Sequence, residues 1–86
     1  MVEITEVITT NQFEKSLKSV RDGKIKTQVK KQIEKIISNP AVGKPLQYSL
    51  KGERTIYVKP YRIIYSTDGS KLFLLRFSHR DEAYRR

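Results

Sequence analysis

The side chains that could carry chemistry in this 86-residue chain are arginine, lysine, tyrosine and a single histidine, His79. Without a cysteine or a second histidine, neither a zinc site nor a classical catalytic triad can be assembled. A guanidinium group can bind two phosphate oxygens at once, and cationic donors stabilise the charge that develops at phosphorus. These residue types therefore favour phosphate-ester chemistry, with no metal and no cofactor. RNA would bring its own nucleophile, the 2′-hydroxyl.

The net charge indicates the kind of partner. Eighteen Lys and Arg against nine Asp and Glu give a formal charge of +9. Such an excess is typical of proteins that bind phosphate groups or an acidic protein. No apolar run approaches the roughly 20 residues that span a bilayer, and the lack of cysteine fits a reducing compartment. We expect one soluble, cytoplasmic domain over residues 1–86, without a membrane segment.

Three arginines and two neighbouring side chains lie in predicted strands. Arg62 falls inside the apolar run 61–65, where a buried charge is costly unless it meets a ligand, a carboxylate or solvent. Arg76 falls inside the run 72–77, nearer a strand end. In residues 54–59, the two-residue period puts Ile56 and Val58 on one face with Arg54, and it puts Tyr57 and Lys59 on the other. An exposed tyrosine and a solvated lysine are the ordinary alternative for the second face.

The last nine residues, 78–86, combine an imidazole, three arginines and a tyrosine. His79 could serve as an acid or a base, and Tyr84 can stack on a base or exchange a proton. A frayed basic tail, with one helical turn at most, is the alternative interpretation. The lysines of residues 25–37 are read mainly as a solvated helix face, with attraction of phosphate as the weaker alternative.

Local patterns predict the elements that position these residues. Residues 2–8 alternate as a strand, Thr9 and Gln12 have capping-box spacing, and a first helix should run to about Val20. Residues 25–37 form an amphipathic helix that ends at Asn39-Pro40. Strands follow at 54–59, 61–67 and 71–77, with a hairpin turn at Asp68-Gly69. The predicted fold is α+β, in the order β-α-α-β-β-β, with both helices on one face of a mainly antiparallel sheet and a short C-terminal tail.

In these features the chain resembles the RelE/ParE superfamily of toxins from type II toxin–antitoxin systems, and especially its RelE, YoeB and HigB branches. The resemblance spans nearly the whole chain. It rests on Lys44-Pro45-Leu46 leading to Leu50-Lys51-Gly52, on Tyr61-Arg62-Ile63-Ile64-Tyr65, and on His79-Arg80 followed by Tyr84.

The resemblance implies the RelE-like fold and an endoribonuclease. Such a toxin enters the A site of the 70S ribosome and cleaves mRNA without a metal, leaving a 2′,3′-cyclic phosphate and a 5′-hydroxyl. An antitoxin of the RelB kind would neutralise it. By position, Arg62 matches the strand arginine that stabilises the transition state, and Arg80 matches the family's arginine after the last strand. Tyr84 matches the C-terminal tyrosine that stacks on or orients the substrate. His79 and Lys59 are candidate proton carriers. The candidate RNA-binding residues are Lys51, Arg54, Tyr57, Arg76 and Arg85.

One position departs from the RNase branches, which carry basic residues on the strand before Tyr61-Arg62, whereas this chain has Tyr57 at its centre. Two other functions therefore stay open. A ParE-like toxin would inhibit DNA gyrase without cutting RNA; Tyr57 favours it, while Arg62, Arg80 and Tyr84 argue against it. A non-catalytic RNA-binding or ribosome-binding domain would need only the positive charge.

Overall fold

The computed structural model describes residues 3–46 and 52–79. Within them lie two helices, a 3-10 turn at Pro40–Val42, and five strands. The helices are α1 (Asn11–Lys18) and α2 (Gly23–Ser38), and the strands are β1 (Glu6–Thr9), β2 (Lys44–Pro45), β3 (Arg54–Val58), β4 (Tyr61–Asp68) and β5 (Lys71–His79). The predicted α+β fold and its element order are confirmed. The two-residue strand β2 was not predicted.

The strands form one mixed sheet in the order β1-β5-β4-β3-β2. Pairs β3–β4 and β4–β5 are antiparallel, as predicted. The unpredicted β2 also pairs antiparallel with β3, whereas β1 runs parallel to β5 at the edge. The predicted turn after Asp68 is confirmed, because Asp68 pairs with Lys71 and Gly69 takes a positive φ of 61°. Strand β4, which carries Arg62, is the third of the five strands and therefore central.

The helix ends follow capping rules with one correction. Thr10 caps α1, its hydroxyl accepting a hydrogen bond from the Phe13 amide at 3.0 Å. The prediction that Thr9 is the cap was wrong, because Thr9 is the last residue of β1 and its hydroxyl instead donates to Glu14. Helix α1 also stops at Lys18, two residues before the predicted end, although Val20 is buried in the core.

The apolar stripe of α2 faces the sheet, as its spacing predicted. Asp22 caps the helix through the Lys24 amide, and Asn39 ends it. Val29 and Ile36 are fully buried; the partly buried side chains that flank them are Ile25, Ile33 and Ile37. Within the described ranges, neither helix is long and apolar enough to cross a membrane.

The main core lies between the two helices and one face of the sheet. Helix α1 packs on β5 and α2 packs on β3, with the Phe13 ring meeting the Phe77 ring edge to face at 6.0 Å. The sheet contributes the buried side chains Val58, Ile63, Tyr65, Leu72, Leu74 and Phe77. Each large apolar side chain that is fully buried stabilises the fold by about 1.5–3 kcal/mol. The other sheet face carries neither described helix, and we call it the helix-free face.

An irregularity in β5 decides which of its residues face the core. Ile64 pairs with Arg76 and Tyr65 pairs with Leu74, so Leu75 is an extra residue in the register. Strict alternation from Leu74 would point Arg76 toward the helices. The bulge reverses the alternation, because an added residue shifts every later side chain to the opposite face. Arg76 is therefore exposed and Phe77 is in the core.

The 3-10 turn is held to the sheet by a buried tyrosine. The Tyr65 hydroxyl donates to the Pro40 carbonyl at 2.7 Å and accepts from the Gly43 amide at 2.9 Å. Arg54 adds a hydrogen bond from Nη1 to the Gly43 carbonyl at 2.7 Å. These bonds satisfy backbone groups that β2 and β3 cannot reach, so they fix the path of the chain into β2.

Because Tyr65 is buried, its contribution to the stability of the fold depends on pH. Desolvation raises the pKa of Tyr65 above 10.0, against smaller lowering effects of the Gly43 amide and of Arg54. Above about pH 10 the unfolded tyrosine ionises while the folded one stays protonated, so its contribution to stability is lost as the pH rises further. Tyr65→Phe should destabilise the protein by about 1–3 kcal/mol at pH 7, and the gap to wild type should shrink above about pH 10. Urea unfolding of both proteins between about pH 7 and pH 11 tests this; a constant gap would contradict it.

Candidate functional site

The candidate site is built on the helix-free face of the three central strands. Two cross-strand rows lie there in register, Tyr57-Arg62-Ser78 and Thr55-Ile64-Arg76. Their neighbours along each strand point into the core, and this is the period-two alternation predicted for Tyr57. The face therefore gathers two arginines, a phenol and two hydroxyls.

Arg62 is the centre of the first row. It is only 8% exposed, although it carries a charge on a central strand. Its Nη2 donates to the Tyr57 hydroxyl at 3.2 Å, and its Cζ lies 4.9 Å from the centroid of the Tyr57 ring. Cation–π contact is worth about 0.5–2 kcal/mol, and a hydrogen bond adds direction to it. The guanidinium is thus pre-oriented by the opposite strand rather than free to rotate.

Tyr57 combines this contact with exposure. The side chain is 47% exposed, which makes it one of three large hydrophobic side chains that are exposed in the described part of the chain. Its ring contacts Arg62, and nearly half of its surface stays open to solvent. Such an aromatic surface suits stacking on an unpaired base.

Two further predicted residues border this face. Arg76 is exposed on β5, directly across from Ile64. Lys59 is exposed in the two-residue turn between β3 and β4, next to the Tyr57 end of the first row. Both cations can reach solvent near Arg62, as phosphate-binding side chains must.

Arg54 has a different environment. Its guanidinium bonds the Gly43 carbonyl and, at 3.5 Å, the Ala41 carbonyl. These contacts direct it to the 3-10 turn and not to the Tyr57-Arg62-Ser78 row. Its role in RNA binding stays a prediction.

His79 lies on the other side of the sheet. Its ring meets the Tyr61 ring edge to face at 5.5 Å, and Tyr61 stacks on Phe77 at 4.8 Å. These three residues line a groove with Ser16 of α1 and with Ser19, which directly follows that helix. The structure therefore does not bring His79 together with Arg62, and an acid or base role for His79 stays a prediction.

Some predicted site residues are outside the described residues, namely Lys51, Arg80, Tyr84 and Arg85. Ser78, in contrast, was missed by the sequence analysis. It pairs directly with Arg62 across β4 and β5, and its position two residues after Arg76 was the available signal. Over residues 3–46 and 52–79, no three His, Asp or Glu side chains gather where they could hold a metal ion.

Comparison with known proteins gives a consistent picture. Residues 7–84 match the family model described as the ParE toxin of type II toxin–antitoxin system, parDE. The comparison with curated proteins found no match.

Solved structures with the same fold include toxins in complex with antitoxins. The Escherichia coli DinJ-YafQ toxin–antitoxin complex matches with a TM-score of 0.77 and 21% identity, over 98% of this chain and 100% of that one. The Methanococcus jannaschii RelB-RelE complex matches with a TM-score of 0.73 and 24% identity, over 90% of this chain and 94% of that one. The Mycobacterium tuberculosis RelBE2 complex matches with a TM-score of 0.73 and 26% identity, over 93% of this chain and 94% of that one.

Proposed function

Given that this chain belongs to the ParE toxin family of type II toxin–antitoxin systems, we propose that it is an endoribonuclease toxin that cleaves mRNA in the ribosomal A site. The observation that carries the proposal is Arg62, a nearly buried guanidinium on the central strand of the helix-free face. It is oriented by Tyr57 and bordered by the Ser78 position and by exposed cations. A pre-oriented guanidinium on a rigid strand is suited to stabilise charge on a phosphate.

The proposed reaction uses the RNA's own hydroxyl. The 2′-oxygen attacks the adjacent phosphorus, and the bond from phosphorus to the 5′-oxygen breaks. The 2′-hydroxyl loses a proton and the leaving 5′-oxygen gains one, so the products are a 2′,3′-cyclic phosphate and a 5′-hydroxyl. Arg62 would bind the non-bridging oxygens, where negative charge grows in the transition state. The cations Lys59 and Arg76 would hold neighbouring phosphates.

Proton transfer must come from groups that reach the same phosphate. Tyr57 and Lys59 border the helix-free face, whereas His79 packs on Tyr61 on the helix side. We therefore place Lys59 ahead of His79 as the proton carrier, and we assign Tyr57 the roles of orienting Arg62 and stacking on a base. Arg80 and Tyr84 enter the proposal through the family resemblance, as a second phosphate ligand and a substrate-orienting ring.

The proposal includes two macromolecular partners and a place in the cell. Three structures of the same fold are complexes of a toxin with an antitoxin. We infer a protein antitoxin, similar to RelB, as the partner that restrains this chain. The second partner is the translating ribosome with its mRNA, and the protein would therefore act in the cytoplasm.

Gyrase inhibition is the second candidate function, and two observations favour it. The matching family model is that of the ParE toxin. Tyr57 is uncharged where RNase relatives carry a basic residue, and its hydroxyl already engages Arg62. A toxin of this kind would bind gyrase and leave RNA intact.

The deciding experiment adds purified protein to a defined translation reaction programmed with one mRNA. We expect new 5′ ends by primer extension only when the mRNA is translated, with a cyclic phosphate on the upstream fragment. The matched reaction is DNA supercoiling by purified gyrase, which should proceed normally. Uncut mRNA together with inhibited supercoiling would replace this proposal with the second candidate.

Two variants at Tyr57 distinguish the contribution of its ring from that of its hydroxyl. Tyr57→Phe removes one hydrogen bond to Arg62, worth about 0.5–1.5 kcal/mol, so cleavage should fall about tenfold at most. Tyr57→Ala also removes the ring and should cost about 1–3 kcal/mol more, since a base would lose its stacking partner. Single-turnover cleavage of a short mRNA on ribosomes measures both. Equal losses in the two variants would assign the hydroxyl, and not the ring, to the reaction.

A further inference from the structure

The two helices carry a second concentration of positive charge, on the side away from Arg62. Residues 11–39 contain eight lysines and arginines and three acidic residues. All eight basic side chains are exposed; they are Lys15, Lys18, Arg21, Lys24, Lys26, Lys30, Lys31 and Lys35. Binding of mRNA on the helix-free face does not use this charge, because the helices lie on the opposite face of the sheet.

Three of these lysines lie in a line along α2. Lys24, Lys31 and Lys35 are seven and four residues apart, so at 3.6 residues per turn they project within about 40° of one direction. The 1.5 Å rise separates them by about 10.5 Å and about 6 Å along the helix axis. Lys26 and Lys30 point elsewhere on the same helix.

Two shallow surface grooves follow the same line. The first is lined by residues around Lys24 and the second by residues around Lys35, and Lys31 lines both. Together they form a continuous strip on α2, which we call the α2 track. It runs from Gly23 to Val42, a residue that is 42% exposed just beyond the helix. Sixteen helical residues give the track a length of about 24 Å.

The chemistry of the track favours a protein over RNA. Among the described residues that line the track, the cations are all lysines, whereas recognition of phosphate favours the paired donors of arginine. None of these lining residues is aromatic, so none of them offers a ring for base stacking. The carboxylate of Glu34 also lies in the track and would repel phosphates. An acidic helix, in contrast, can place carboxylates opposite the three lysines, a cation opposite Glu34 and an apolar side chain against Val42.

We propose that the α2 track binds an acidic, amphipathic helical segment of the antitoxin. This inference rests on the proposed pairing with an antitoxin and is independent of mRNA cleavage. Laid antiparallel to α2, the matching segment carries Glu or Asp at positions i, i+4 and i+11 along one face, opposite Lys35, Lys31 and Lys24, because it meets the axial intervals of α2 in reverse order. An apolar residue precedes position i, at the end that meets Val42.

The test uses two synthetic 20-residue helical peptides of identical composition as probes. One has its acidic residues in the stated stripe with leucine at the Val42 end, and the other has them distributed around the helix. The full protein is compared with a track variant, Lys24→Glu, Lys31→Glu and Lys35→Glu. The control variant, Lys18→Glu, Lys26→Glu and Lys30→Glu, changes the net charge equally, and its three residues do not line the track.

We expect the wild-type protein to bind the striped peptide at least about tenfold more tightly than the other, as measured by fluorescence anisotropy. The track variant should lose this preference and the control variant should keep it. Equal losses in both variants would overturn the proposal, since only general charge would then be acting. Wild-type protein that binds a 20-nucleotide oligouridine through the track, and neither peptide, would overturn it in favour of RNA. Neither readout depends on nuclease activity.

Discussion

Replacing Arg62 with alanine should lower mRNA cleavage at least about 100-fold, equivalent to about 2.7 kcal/mol of lost transition-state stabilisation. Arg62 is 8% exposed and is oriented by Tyr57. Among the described residues, the cations that border this face, Lys59 and Arg76, occupy other positions on it and are exposed. Primer extension on translated mRNA gives the rate. Arg62→Lys should recover only a small part of it, because an ammonium group cannot bind two phosphate oxygens in the guanidinium geometry.

Arg76→Ala is the matched control, because it removes the same charge from the same face. Arg76 is exposed, and its loss should cost about tenfold or less, as expected for a screened phosphate contact. Thermal unfolding of both variants must accompany the kinetics, since Arg62 is buried and its removal can also loosen the sheet. A folded Arg62→Ala protein that cleaves at the rate of the Arg76→Ala protein would refute the assignment of Arg62.

The largest loss of stability should come from Gly43→Ala. The new Cβ would lie 2.6 Å from the Tyr65 hydroxyl and 2.8 Å from the Thr55 carbonyl oxygen, closer than real side chains approach. Overpacking costs about 1–3 kcal/mol, and displacing Tyr65 would also break its two hydrogen bonds, at about 1 kcal/mol each. We expect the free energy of unfolding, measured with urea, to fall by about 3–5 kcal/mol, which is a large part of the stability of a small domain.

Gly23→Ala provides the comparison. A Cβ at Gly23 meets no atom within 4 Å, and Gly23 is the first residue of α2. Alanine there should leave stability unchanged or raise it by up to about 1 kcal/mol, because it restricts the unfolded chain. If the two alanine variants unfold at similar urea concentrations, Gly43 is not required for space.

The sequence predicted the side of the sheet on which Tyr57 lies, because regular alternation holds through β3. Prediction was weaker for His79. The last strand was expected to end at Phe77, which would leave His79 on a tail that could reach Arg62. The strand continues to His79, and its alternation with Phe77 points His79 toward Tyr61 on the helix side.

Two other features depend on contacts between distant residues. Gly43 is glycine because Tyr65, 22 residues later, occupies the space of a side chain. The exposure of Arg76 depends on the bulge at Leu75, which arises from the pairing of β4 with β5. Local patterns do not encode either one, since both require the register of the folded sheet.

The parallel pairing of β1 with β5 bears on how the protein is made. Glu6 pairs with Lys71, so the first described strand waits for the last one before it can join the sheet. Strand β5 is also interior, between β1 and β4. A nascent chain that lacks β5 has no strand with which β1 can pair. It also lacks the surface on which α1 packs. Such non-local pairing delays folding until β5 has left the ribosome. The ribosome that makes this protein would therefore release every residue from β1 to β5 before the Arg62 face exists in finished form.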